Sequence, residues 1–132
     1  MEFLFKQDFK VRDYECDIQG IVNNSVYQNY LEHARHEFLL SRNLNFSELT
    51  QQGINLVVVR AELDYKAPLR SGDCFWVGLN HSPKGALRGV FNQVIYKEDG
   101  TLMLNALITW AAINNAGKPI KAKNIIEKIQ NA

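Results

Sequence analysis

The chain has 132 residues, 46% of them apolar, with 15 basic and 14 acidic side chains and a formal charge of +1. That suffices for one core and one domain over residues 1–132, and charge this balanced, with no basic tract or acidic tail, argues for neither a nucleic acid nor an anionic membrane surface, and neither is expected as a partner. No run approaches the roughly 18 apolar residues of a membrane span, and the start MEFLFKQDFK is too charged for a signal peptide. The two cysteines, Cys16 and Cys74, form no CxxC pair, so the expected setting is reduced and cytoplasmic.

Alternation from Leu4 to Asp13 puts Phe5, Gln7, Phe9 and Val11 on one face and predicts a first strand. ECDIQG, Glu15 to Gly20, reads as a loop. From Ser25 the period becomes helical: Tyr27, Leu31, Ala34 and Phe38 form one stripe with Tyr30 beside it, while Glu32, Arg35 and His36 turn away. Asn23, Asn24 or Ser25 can cap this helix. NLNFSELTQQG predicts a short second helix, capped by Ser47 and closed by Gly53.

The rest of the chain reads mainly as strands. In INLVVVRAELDYKA, Val57, Val59, Ala61, Leu63 and Tyr65 share one face and Arg60, Glu62, Asp64 and Lys66 the other, which predicts one buried and one polar side. PLRSGD is a turn, CFWVGLNH a strand, SPKG a turn, ALRGVFNQVIYK a strand and EDG a hairpin turn. TLMLNALITWAAIN is a long strand ended by NAGKP, and KNIIEKIQNA makes a final helical turn or two. The expected architecture is α+β: the four late strands form an antiparallel meander, and the long helix covers the apolar face of the sheet.

The chemistry-bearing feature is Asp17, three residues before Gly20 and just ahead of the long helix. A helix start leaves free N–H groups and about half a unit of positive charge, and a glycine lets a ligand come close. Asp is also a common turn residue, so a carboxylate that only caps a turn is the plain alternative. His33 and His36 have the spacing of a metal pair, but no third ligand stands near in sequence and no metal is expected. Cys16 has no His at a usable local spacing and reads as a bystander thiol.

DYECDIQGIVNNSVYQNYLEHAR, Asp13 to Arg35, and LDYKAPLRSGD, Leu63 to Asp73, resemble the signature of the 4-hydroxybenzoyl-CoA thioesterase-like branch of the hotdog-fold superfamily. The resemblance covers almost the whole chain. It implies a curved, antiparallel five-stranded sheet wrapped around one long central helix. It also implies a homodimer or homotetramer with active sites between subunits, and hydrolysis of an acyl-CoA thioester to an acid and free coenzyme A. No metal or organic cofactor would be needed.

Asp17 would attack the carbonyl to form an acyl-aspartyl anhydride, or activate water. Val22 to Asn24 would present amides to the oxyanion, with the backbone N–H of Asn24 the chief donor. Gly20 and Val22 would border the thioester. Tyr14, Tyr27 and Val59 are candidates for the acyl pocket, with core packing as the alternative. Lys84 and Arg88, followed by Lys66 and Arg70, are candidates for the phosphates of coenzyme A. Glu32 is either a second carboxylate or a surface partner of Arg35 or His36. Ile21 stands where many relatives have His, which removes an imidazole from the loop. VNN, Val22 to Asn24, also resembles acyl carrier protein thioesterases, and a non-catalytic domain that binds acyl thioesters is the third reading.

Overall fold

The computed structural model describes residues 2–130. Strand β1 (Phe5–Lys10) leads through a 3-10 turn, Asp13–Glu15, to the long helix α1 (Asn24–Ser41). Helix α2 (Phe46–Gln51), strands β2 (Asn55–Tyr65), β3 (Cys74–Lys84), β4 (Arg88–Lys97) and β5 (Leu102–Ile113), and helix α3 (Lys123–Gln130) follow. Asn131 and Ala132, at the end of the predicted tail, lie outside the described residues.

The strands make one antiparallel sheet in the order β1-β3-β4-β5-β2. The expected four-strand meander is therefore corrected: only β3, β4 and β5 meander, and β2 pairs with β5 at the far edge, Tyr65 opposite Leu104. Alternation reports which face of a strand is buried, not which strand lies beside it. The β2–β3 connection, residues 66–73, is longer than a hairpin loop of about two to five residues. It passes β5 and β4 to reach β3, three spacings or roughly 14 Å at about 4.8 Å each, and passes the start of α1 on the way.

Helix α1 buries its predicted stripe, Tyr27, Leu31, Ala34 and Phe38, with Tyr30 and Leu39 beside it. Phe38 meets Phe5 of β1 and Phe91 of β4 at ring distances of 5.7 and 6.1 Å. Tyr30 meets Phe9 of β1 and Phe75 of β3 at 5.4 and 4.8 Å, and Tyr27 meets Tyr65 of β2 at 5.3 Å. One helix thus touches four strands, and each large apolar side chain buried this way stabilises the fold by about 1.5–3 kcal/mol.

Three local expectations change. Asn23 holds the N-cap position of α1, but its side chain makes no capping bond. Helix α2 is capped by Asn45 rather than Ser47: Asn45 Oδ1 accepts from the N–H groups of Ser47 and Glu48 at 2.8 and 3.3 Å, the reach an Asn side chain has from outside the first turn. Strand β3 runs through Ser82, Pro83 and Lys84, so the hairpin turn is Gly85 to Leu87, with Gly85 at φ +70.

The buried face expected of β2 is also absent. Val59 is 46% exposed and Tyr65 50%. Val58 faces Trp110 and Arg60 faces Thr109, so Val59 is the extra residue of a bulge, which resets the alternation. The strand is an edge, with one side free.

Candidate active site

Residues 16–22 fold back on themselves. Cys16 bridges Val22, Asp17 N–H donates to Ile21 O at 2.8 Å, and Gly20 N–H donates to Asp17 O at 2.9 Å. Gly20 sits at φ +78, a conformation that strains any side chain with a Cβ. That backbone angle accounts for the glycine, since a Cβ built there meets nothing within 4 Å.

The Asp17 carboxylate is held by one oxygen. Oδ1 accepts from Gln19 N–H at 2.8 Å and Ile21 N–H at 3.4 Å. No partner among the described residues engages Oδ2. The turn-capping reading is therefore correct as geometry, and it leaves half of the carboxylate free. Within the single chain Asp17 is exposed.

The expected row of three amides reduces to one. Val22 N–H donates to Leu69 O at 2.9 Å and Asn23 N–H to Glu15 O at 3.0 Å. Asn24 opens α1, and among the described residues no acceptor pairs with its N–H or with that of Ser25. These are ordinary orphans of a first helical turn, sharpened here because their neighbours are already committed.

The crossover 66–73 fixes this end of the helix. Ile21 bridges Arg70, and Leu69 N–H donates to the Tyr27 hydroxyl at 2.9 Å. Burial pushes the Tyr27 hydroxyl pKa up, so it stays protonated. On the other side the Tyr30 hydroxyl donates to Glu15 Oε1 at 2.9 Å, and Arg12 N–H donates to the same oxygen at 2.8 Å. Burial first, then the Glu15 bond, raises the Tyr30 pKa far above that of a free phenol. Sequence reasoning placed Tyr30 beside the buried stripe but gave neither it nor Glu15 nor Leu69 a role at this end of the helix. The length of the β2–β3 connection was the one signal that could have pointed to Leu69.

A cleft of about 200 Å³ opens at the helix tip, lined by Ile21, Val22, Asn24, Tyr27, Tyr65 and Lys66 among others. Of the expected site residues, Asp17, Gly20, Val22, Asn24 and Tyr27 therefore share one end of the molecule. Tyr14 does not line the cleft: it is 75% exposed and its hydroxyl accepts from Arg12 Nη1 at 2.8 Å. Val59 is neither in the cleft nor in the core. Lys84 and Arg88 face each other beside the β3–β4 turn. Lys84 lies ten residues along β3 from Cys74, roughly 33 Å at about 3.3 Å per residue, at the opposite end of the sheet. Lys66 lines the cleft and Arg70 flanks Ile21, so the two cations ranked second are the nearer ones.

Glu32 leans on His36 at 3.8 Å, and His33 on Glu37 at 3.9 Å. Among the described residues no three His, Cys, Asp or Glu side chains gather as a metal site. Burial, then nearby carboxylates, pushes the Cys16 thiol up, which disfavours its thiolate.

Comparison with known proteins places the chain. The profile of the thioesterase-like superfamily matches residues 11–132. The chain belongs to that superfamily. It is 37% identical over 122 residues to an acyl-acyl carrier protein thioesterase of Arabidopsis thaliana, a match that covers 90% of this chain and 63% of the relative. A second Arabidopsis protein of the same description is 43% identical over 90 residues, 68% of this chain and 48% of the relative. The chain thus spans less than two thirds of one of these chloroplast proteins and about half of the other. The long-chain acyl-CoA thioesterase FadM of Escherichia coli is 32% identical, with 80% of each chain covered. A crystal structure of a hypothetical protein from Aquifex aeolicus superposes with a TM-score of 0.88 at 33% identity, covering 95% of this chain and 98% of that one. The five-stranded curved sheet with α1 against it is the hotdog fold. No helix of the described residues is long and apolar enough to cross a membrane.

Proposed function

We propose that the protein hydrolyses acyl-CoA thioesters, with Asp17 as nucleophile or general base and the Asn24 N–H as oxyanion donor. The observation that carries this reading is the half-bound Asp17 carboxylate, in the loop that delivers the free Asn24 N–H. In the nucleophilic route Oδ2 adds to the carbonyl carbon, the C–S bond breaks, and coenzyme A leaves as its thiolate. Water then opens the acyl-aspartyl anhydride, giving the acid and restoring the carboxylate. In the base route Asp17 takes a proton from the attacking water and returns it to the thiolate. Both pass through an oxyanion, and removing a donor such as the Asn24 N–H costs about 3 kcal/mol of barrier. Tyr27 and Val22 would border the acyl group, with Lys66 and Arg70 nearest for phosphates. Lys84 and Arg88 could serve only if a second copy brought them to the cleft.

Self-association is part of the proposal. Strand β2 is a sheet edge with Val58, Val59 and Tyr65 exposed, a surface that a second copy can cover. Sedimentation at micromolar concentration tests it: a monomer would refute it. A cytoplasmic location is likewise proposed, and cell fractionation checks it.

The decisive experiment is Asp17→Asn, followed by release of free thiol from an acyl-CoA panel. The amide keeps the Oδ1 acceptor but is no base or nucleophile. Turnover is expected to fall about 1,000-fold, near 4 kcal/mol of barrier, with binding largely kept. Unchanged turnover would reject the assignment. The second reading, an acyl carrier protein thioesterase, is favoured by the names of the two Arabidopsis relatives. Free coenzyme A analogues that fail to compete, against carrier-protein conjugates that succeed, would select it.

A further inference from the structure

A second cleft, of about 220 Å³, lies between α1, β2 and α3. Apolar wall comes from Leu39, Phe46, Leu56, Phe91, Trp110 and Ile129 and from Val57 and Val58 of the β2 edge, and Arg35, His36 and Glu32 complete the lining. Arg35 is eleven residues along α1 from Asn24, roughly 16 Å at about 1.5 Å per residue, so this is not the cleft at the helix tip.

Arg35 is the unusual member. Sequence periodicity turns it away from the inner stripe, yet its guanidinium reaches the sheet and Nη1 donates to Gln93 Oε1 at 3.0 Å. Gln93 is fully buried and its Nε2 donates to Leu31 O at 3.0 Å. The guanidinium is thus fixed by a buried amide that is itself fixed. Burial pushes the Arg35 pKa down to about 10, so the cation persists at neutral pH in surroundings that oppose it. Among the described residues no carboxylate lies within 4 Å of it. Glu32 leans toward His36 instead and its side chain is 57% exposed, where solvent screens its charge.

Arg35 is half-buried, and a cation withdrawn from solvent with no carboxylate in contact is costly; a planar guanidinium suits a carboxylate bidentately. The cleft holds roughly seven to eight heavy atoms at about 30 Å³ each, the liquid volume of a water. We propose that this cleft binds a monocarboxylate with a short apolar tail, its carboxylate on Arg35 and its tail against Leu39, Phe91 and Trp110. An acid is also the class of product in the reaction proposed above, but the site stands on Arg35 and its cleft and does not depend on that reading.

Calorimetric titration of the whole protein with sodium hexanoate tests it, with 1-hexanol and sodium acetate as separate probes. The expected result is one hexanoate per chain, bound at least about tenfold tighter than hexanol, with no measurable acetate binding. Equal affinity for acid and alcohol, or no hexanoate binding, overturns the proposal. Arg35→Met, which replaces a half-buried charge by an apolar chain of similar length, is expected to erase the preference for the acid; if it keeps that preference, the assignment of Arg35 fails. Should that variant not fold, the hexanoate-to-hexanol ratio of the unaltered chain decides alone. Asp17→Asn separates the two sites: it is expected to bind hexanoate unchanged while turnover falls. Loss of binding there would move the acid to the helix-tip cleft and overturn this site, whereas unchanged turnover with intact binding would sink only the catalytic reading.

Discussion

The two ends of the sheet treat their polar groups in opposite ways. At the start of α1, Asn24 and Ser25 keep unpaired N–H groups among the described residues, and Asp17 keeps a free oxygen. At the other end α3 closes over the sheet, and even a buried imidazole has both nitrogens engaged. Trp110 Nε1 donates to His81 Nε2 at 3.0 Å, and since an indole only donates, Nδ1 carries the proton and faces Gln130 Oε1. Ile125 and Ile129 bury the inner side of α3 there. Satisfied groups hold a fold, and unsatisfied ones are held ready for something else. Changes at the first end should cost chemistry, and changes at the second should cost stability.

The largest expected effect is Asp17→Asn, with turnover down about 1,000-fold and a melting temperature within about 2 °C of the parent, by thiol release and calorimetry. A large loss of stability would erase the contrast. Next is Gly89→Ala. A Cβ there would drive into the His81 and Trp110 rings, and overpacking of this kind costs about 3 kcal/mol. Denaturant melts should show that loss, while the surviving folded protein keeps its kcat.

Tyr27→Phe sharpens the comparison, because Tyr27 is structural although it stands at the reactive end. It strands the buried Leu69 N–H, at about 1–2 kcal/mol, readable in the same melts. The pH response of the far end is smaller. Burial lowers the His81 pKa, against the Gln130 bond that raises it. The folded state therefore resists protonation, and the unfolded state takes up the proton first as pH falls below about 6.5. Stability is full above that pH and declines between it and the lowered folded value. His36, also lowered by burial, adds to the slope in the same direction. Melts from pH 7.5 to 5 should show stability falling with pH, and His81→Gln should reduce that slope. The smallest effect is Lys66→Ala, an exposed cation whose loss should raise KM for acyl-CoA no more than about fivefold; Lys84→Ala should change KM less.

Much of this contrast was legible before the fold was known. The change of period at Ser25, the α1 stripe and the loop that carries Asp17 and Gly20 all survive, because each is a local property of side-chain spacing or backbone angle. What escaped was relational. Strand β2 went to the far edge because alternation does not name a neighbour, and the bulge at Val59 broke the alternation, leaving Val59 and Tyr65 exposed. Lys84 and Arg88 lie at the end of the sheet away from the helix-tip cleft of their own chain, because a charge carries no address along a strand. The inward reach of Arg35 depended on Gln93, and the capture of Asn23 N–H depended on Glu15. Gln93 is 58 residues from Arg35, and Glu15 meets Asn23 only because the Asp17 loop between them folds back.

The central claim is that an acyl thioester meets this chain at Asp17 and the Asn24 N–H. Amide NMR of the Asp17→Asn protein, titrated with an acyl-CoA thioether that cannot be hydrolysed, tests it most directly. The account predicts the largest amide shifts at Asn24 and Ser25, small ones at the already bonded Val22 and Asn23, and little change around Gln130. Shifts centred on α3 or on the β3–β4 turn, with Asn24 unmoved, would contradict it.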